Sequence, residues 1–370
     1  MIDTFKPKLD LPTKANFKTT LPLLGGADLS FWLALAAKSE ERLIVMIANH
    51  QNELNQLDTE LSFFGIDAHV FPDWEILAYD QLSVHQDIIS ERIALLTRMP
   101  TTGVLLVSTQ TLMQRIAPPS WLIGQHFDLA VGDKFDIHEQ RLRLTKAGYV
   151  QTENVFEPGE FAVRGSIVDI FAVGQSLPFR LDLFDDNIET IKFFDPDSQR
   201  TLSDNDLAQL KKDAQEGMNT HHAQKLPSSA KITEFRLLPA REFPLEAGKE
   251  MFRQNFASLF PNASARKIEF YNDVMAAIAP QGIEFYAPLF FELDAWMKTG
   301  NLFSYLPDDT LVVSHDNLSA CHDEYYQQIQ ARHHSRAHDK SLPIMPPDYL
   351  FLANNEFHQV LKAYPRVVIN

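Results

Sequence analysis

Cysteine is almost absent: Cys321 stands alone, so no disulfide can form within the chain, a usage that fits a reducing cytoplasm. Basic charge is scarce too, with 33 Lys and Arg against 49 Asp and Glu and a formal net charge of −16. Nucleic-acid surfaces need clustered Lys and Arg on phosphates, so a general DNA-binding face is disfavoured, although a local basic patch stays open. Long apolar runs are missing as well. The helical apolar patch at residues 31–37 is far short of the roughly 20 residues that cross a bilayer. The opening MIDTFKPKLD lacks the basic-then-apolar order of a signal peptide. A soluble, cytoplasmic monomer without membrane contact is therefore expected.

Catalytic and metal signatures are equally thin. There is no G-x-S-x-G nucleophile elbow. His221-His222, His333-His334 and Cys321-His322 supply pairs, whereas a closed zinc site needs four ligands at suitable spacing. No catalytic residue, metal or cofactor is expected. Internal repeats and low-complexity tracts are also lacking.

What the chain does have is apolar material for more than one core: 45% of its 370 residues are hydrophobic, a length for two or three domains. After a polar, Lys-rich lead-in (1–20), strands are expected at 21–24, 42–48, 68–71 and 103–108, with helices at 27–38, 51–64 and 86–98. This β-α-β-α order predicts a parallel sheet with helices on both faces. Trp74 reads as a core or interdomain anchor, and Phe290-Phe291, Phe303 and Tyr305 as core strand ends. The α/β domain is expected over 21–126 and again over 231–350, interrupted by a small β-rich α+β domain at 127–206 and a linker at 207–230, flexible in its second half. The second segment reads as strand 232–238, helix 245–260, strands near 283–286 and 310–314, helix 316–332 and a polar break at 333–341. A final strand and helix, 351–370, would begin a linker.

The stretch from Glu153 to Thr201 is the most informative. Val, Ile and Phe dominate three runs, 161–171, 179–184 and 188–194, separated by turn residues such as Asp185-Asp186-Asn187. They predict an antiparallel sheet with one buried and one wet face. In the middle run Phe179, Leu181 and Leu183 point one way; Arg180, Asp182 and Phe184 point the other. Arg164 sits beside Gly165, which leaves room for a bulge or a close backbone approach. Arginine and aromatics on a wet sheet are what binding hot spots favour. The plainer alternative is a surface Phe184 covered by a neighbouring domain and an Arg180 paired to a local Asp.

The run EFAVRGSIVDIF…LPFRLDLFDDNIETIKFFDPDSQRT, with FPDWEILAYDQLSVHQDIISERIALL, TLMQRIAPPSWL, LLPAREFP, GIEFYAPLFF and LFSYLPDDTLVV, resembles the UvrB-homology module of the bacterial transcription-repair coupling factor (Mfd) family. The resemblance covers most of the chain. It implies a degenerate P-loop fold, like the first domain of UvrB, flanking a domain that binds UvrA. By position it implies that Arg164, Arg180 and Phe184 contact UvrA, the arginines through carboxylates and the phenyl ring as an apolar anchor. Asp182 and Asp186 would orient the arginines, and Gly165 would permit close approach. RNA polymerase and DNA would be met only by domains that these residues do not include.

The resemblance also places a phosphate loop at LLGGADLSFWLALA. Such a loop needs glycine amides, a Lys and a Ser/Thr. Gly25 and Gly26 are present; no Lys and no Ser/Thr follow at the needed places, and Asp28 puts a negative charge near the helix start. No nucleotide binding is expected. LDLFDD (181–186) imitates a magnesium-binding strand, but a hairpin turn explains Asp185-Asp186 more simply. UvrB's aromatic damage-probing hairpin has no room here, since 81–85 lead straight into the helix at 86. A binding module that recruits nucleotide excision repair is the reading these residues carry. The alternatives are a DNA-binding accessory domain of a helicase-like ATPase and, third, an active NTPase, which the missing lysine disfavours.

Overall fold

The computed structural model describes residues 9–22, 27–216, 226–338 and 342–370. They fall into two compact units, one of Met1–Val84, Arg98–Pro119 and Met251–Asn370, the other of His85–Thr97 and Ser120–Glu250. No described helix is long and apolar enough to cross a membrane.

The run LIVMIA has no polar position to turn toward water, so it is stable only when buried on both faces. Leu43–Ala48 accordingly lies inside a six-stranded sheet, ordered Lys18–Leu21, Arg366–Ile369, Leu311–His315, Leu43–Ala48, Gly103–Ser108, His69–Val70. All neighbours run parallel. Ile44, Met46, Val104 and Leu106 pack with Leu29 and Leu33 of helix Ala27–Ser39 and Leu54, Leu57 and Leu61 of helix Gln51–Phe63. The opposite pleat, Val45, Ile47, Leu105 and Val107, is equally closed to solvent. Each such burial contributes about 1.5–3 kcal/mol. The whole span of strand propensity is only about 1 kcal/mol, so burial rather than propensity sets this sheet.

The expected α/β architecture is the one observed, with several elements displaced. The first described strand is Lys18–Leu21; residues 23 and 24 of the strand expected at 21–24 lie outside the described residues. Within 351–370 the helix comes first, Asn354–Leu361, and then Arg366–Ile369, an inner strand between Lys18–Leu21 and Leu311–His315. The strand expected near 283–286 is the 3₁₀ helix Ile283–Phe290, buried along all eight residues. A continuous apolar run carries no period, so sequence could not separate the two. Gly282, at φ +74°, starts this turn; a Cβ there would lie 3.0 Å from the Asp80 carbonyl oxygen. Phe290, Phe303 and Tyr305 are core residues of 3₁₀ turns rather than strand ends, and Phe291 is a core residue in extended conformation just past the first of those turns. Trp74 is a core residue, edge-on to Phe285 with centroids 5.7 Å apart. Helix Leu318–Arg336 runs through His333 and His334, so those histidines are helical and not in a polar break.

Arg115 ties this unit together from inside. Its side chain is fully buried. Nε donates to the Asp348 carbonyl (2.8 Å), Nη1 to the Met297 carbonyl (2.9 Å) and Nη2 to Glu356 Oε2 (2.6 Å).

The second unit is built on a six-stranded sheet, ordered Lys231–Ile232, Asn187–Phe193, Phe179–Phe184, Ile167–Ile170, Glu160–Arg164, Val150–Gln151. Its neighbours are antiparallel except the last pair. The run read as one strand over 161–171 is thus a hairpin that turns at Gly165-Ser166. Phe127–Ala130 pairs with Glu234–Leu237 in a separate two-stranded sheet. Helix Gln86–Thr97, expected with the α/β domain, groups here. Arg92, wholly buried, donates to Glu242 Oε1 (2.6 Å), and the Gly174 N–H donates to Ser90 Oγ (2.9 Å). Tyr149 Oη donates to the Leu238 carbonyl (2.9 Å) and accepts from Val173 N–H (3.2 Å); burial pushes its phenol well above the usual range.

Part of the expected linker is ordered: helix Asp204–Glu216 begins where Ser203 and Asp206 bond reciprocally, backbone to side chain. This S-x-x-D pair, a relative of the capping box, was the available sequence signal. The flexible half of the expected linker lies largely outside the described residues, as do His221 and His222.

Candidate partner-binding surface

Alternation in Phe179–Phe184 fixes the site. Phe179, Leu181 and Leu183 are buried, and Arg180, Asp182 and Phe184 turn outward. Register then decides the cross-strand neighbours. Arg180 lies between Asp169 and Lys192, Asp182 between Ile167 and Thr190, and Phe184 opposite Asn187.

Phe184 is 69% exposed, at the end of its strand. The two-residue connection that follows places Asp185 at φ +52°. Asp186 lies in the same turn, where its carbonyl accepts from Phe135 N–H (2.6 Å). Gly165 is at φ +64° in the hairpin, and a Cβ there would meet nothing within 4 Å. The glycine is needed for its backbone conformation and not, within this chain, for close approach. Gly165→Ala is therefore expected to cost about 1–2 kcal/mol through strain alone, read from the urea midpoint; an unshifted midpoint would contradict this.

Arg164 and Arg180 converge on one carboxylate, that of Asp169, which has no exposed surface. Arg180 Nε donates to Oδ1 (2.6 Å) and Nη2 to Oδ2 (2.8 Å), a bidentate pair. Arg164 Nη2 donates to Oδ2 of the same carboxylate, and Nη1 to Asn154 Oδ1 (2.9 Å). Arg180 also donates to the Gln199 carbonyl (3.3 Å), and its guanidinium carbon sits 4.8 Å from the centre of the Phe194 ring. The Asp169 hydrogen bonds hold Arg180 above its ordinary pKa. Arg180 thus has the local Asp partner of the plainer alternative, and its side chain is only 15% exposed. The Arg164 side chain is 42% exposed.

The hydrogen bonds of Asp182 go to residues other than the two arginines, so Asp182 acts on Arg180 through charge alone. Asp182 accepts from Thr190 Oγ1 (2.7 Å) and Lys192 Nζ (3.2 Å). Burial alone would raise the Asp182 carboxyl, but those bonds and the Lys192 and Arg180 charges outweigh it, leaving its pKa lowered. The stabilisation is therefore present above the unfolded value of about 3.9 and is lost as pH falls through the lower folded-state value. A titration of the Asp182 carboxyl should show a midpoint below that of a free aspartate; a midpoint above it would contradict the assigned bonds.

Sequence reasoning missed Asp169. The available signal was a carboxylate set inside the apolar strand Ile167–Ile170, a position that needs a cation beside it. Elsewhere, Asp28 is exposed in the first turn of helix Ala27–Ser39, and Gly25 and Gly26 lie outside the described residues. Among the described residues no group of three His, Cys, Asp or Glu side chains is placed to hold a metal.

Residues 127–211 match the family described as the UvrB interaction domain. The chain is 36% identical over 369 residues to the transcription-repair-coupling factor of Haemophilus influenzae, a match covering 98% of this chain. It is 35% identical over 362 residues to that of Escherichia coli and 26% identical over 341 residues to that of Myxococcus xanthus. The chain spans 29% of the length of the first two relatives.

Proposed function

From the premise that this chain is a relative of the transcription-repair-coupling factors and carries a UvrB interaction domain, we propose that it is a non-catalytic module that binds UvrA and so recruits nucleotide excision repair to stalled transcription. The observation that carries this is the outward face of the 127–211 sheet. An exposed Phe184 and a half-exposed Arg164 stand on a framework braced from beneath. Phe184 supplies apolar area, and Arg164 supplies a fork for a carboxylate.

RNA polymerase and DNA fall, on this reading, to parts of the relatives outside the matched length. ATP hydrolysis is not assigned to these residues, because LLGGADLSFWLALA has no lysine, and no hydroxyl at the place where a phosphate loop uses one. We place the protein in the cytoplasm, as a monomer, in keeping with one cysteine that is buried and unpaired.

The test is direct binding of the purified chain to UvrA, and separately to duplex DNA, at physiological salt. Saturable UvrA binding with little DNA binding is expected from the acidic composition. Strong, steeply salt-dependent DNA binding without UvrA binding would reverse the assignment.

A further inference from the structure

We infer that Asp169 is the positioning residue of this surface: it holds Arg164 in the orientation a partner meets, and it makes Arg180 an internal strut rather than a partner contact. The inference rests on the UvrA-binding reading above.

Both Asp169 oxygens are engaged, Oδ1 by Arg180 and Oδ2 by Arg180 and Arg164 together. The carboxylate has no exposed surface, so it cannot itself touch a partner. Arg180 spends its guanidinium on Asp169, the Gln199 carbonyl and the Phe194 ring, leaving little to offer outward. Arg164 is the reverse. Asn154 and Asp169 take one N–H from each of its two terminal nitrogens, out of the five an arginine carries. The rest belong to a side chain that is 42% exposed. Two cations around one anion leave one net positive charge, and the exposed member is the one that can present it. Arg164 is thus held ready on its strand end, so little side-chain freedom remains to be lost when a partner carboxylate docks.

Positioning and simple support separate in the kinetics. A folded Asp169→Asn surface has lost a negative charge, so association with a carboxylate-bearing partner should not slow. With Arg164 no longer held, dissociation should quicken on the order of tenfold. A merely structural role would reduce the active fraction without changing dissociation of the molecules that do bind. Dissociation and association of UvrA should therefore be measured at two salt concentrations for D169N, D169E, R164Q, R180Q and F184A.

D169N should dissociate faster with association unchanged or raised, and D169E should recover part of the loss. R164Q should lower association and flatten its salt dependence, while R180Q leaves the salt dependence as in the parent. If D169N does not fold, D169N/R180Q removes one charge of each sign, retains hydrogen-bonding side chains and should show the same faster dissociation. Parent-like dissociation in a folded Asp169 variant, or a salt dependence flattened by R180Q as much as by R164Q, overturns the inference. F184A and R164Q binding UvrA like the parent would instead remove the UvrA reading on which it stands.

Discussion

Arg115→Ala is expected to lower the stability of the parallel-sheet unit by about 2–5 kcal/mol, the range for truncating a large, fully buried side chain. The guanidinium is fully buried and satisfies two carbonyls, those of Asp348 and Met297, besides the Glu356 carboxylate. Glu356 is one-third exposed and can recover water once its partner is gone. The Asp348 and Met297 carbonyls each lose a donor, and the vacated side chain leaves a cavity. Domains of this kind are stable by roughly 5–15 kcal/mol in total, so the loss takes a large share. Arg115→Lys should recover little, because one ammonium cannot reproduce a planar fork that reaches three acceptors at once. Equilibrium urea unfolding checks this; an Arg115→Ala midpoint within error of the parent would reject the role assigned to the side chain.

Arg115 also shows where sequence reading stops. Its acceptors lie 182, 233 and 241 residues away along the chain, and no local pattern announces a partner at that distance. The parallel sheet was legible because runs such as LIVMIA and GVLLVS are apolar throughout and are separated by segments with a helical apolar face. The outward set Arg180, Asp182 and Phe184 was legible for a different reason: strict alternation fixes faces even when the neighbours are unknown. What alternation cannot give is register. Asp182 and Asp186 follow Arg180 closely along the chain, so they were natural candidates to orient it. Register instead brings Asp169 beside Arg180, and gives Asp182 to Thr190 and Lys192. The turn at Gly165-Ser166 did leave a trace, a Gly-Ser pair between two β-type runs, but a lone glycine in such a run also fits a bulge or a close approach.

Phe184→Ala is expected to weaken UvrA binding by about 2 kcal/mol or more, the usual effect of truncating an interface anchor, or roughly thirtyfold in Kd. Of the three side chains implied by resemblance it gives the cleanest answer. At 69% exposure the ring contributes little to the fold, so thermal unfolding of Phe184→Ala should match the parent and any loss of binding belongs to the interface. Arg180→Ala is less clean, because it leaves the buried Asp169 carboxylate with Arg164 as its remaining cation. A stability loss would then mix with any change in binding. A ring at the end of a strand, beside a tight turn, can enter a partner pocket with little adjustment of its own backbone. Phe184→Leu should keep part of the affinity through retained apolar area. The assignment fails if Phe184→Ala unfolds like the parent and still binds UvrA with the parent's Kd, for then the exposed ring is not what the partner holds.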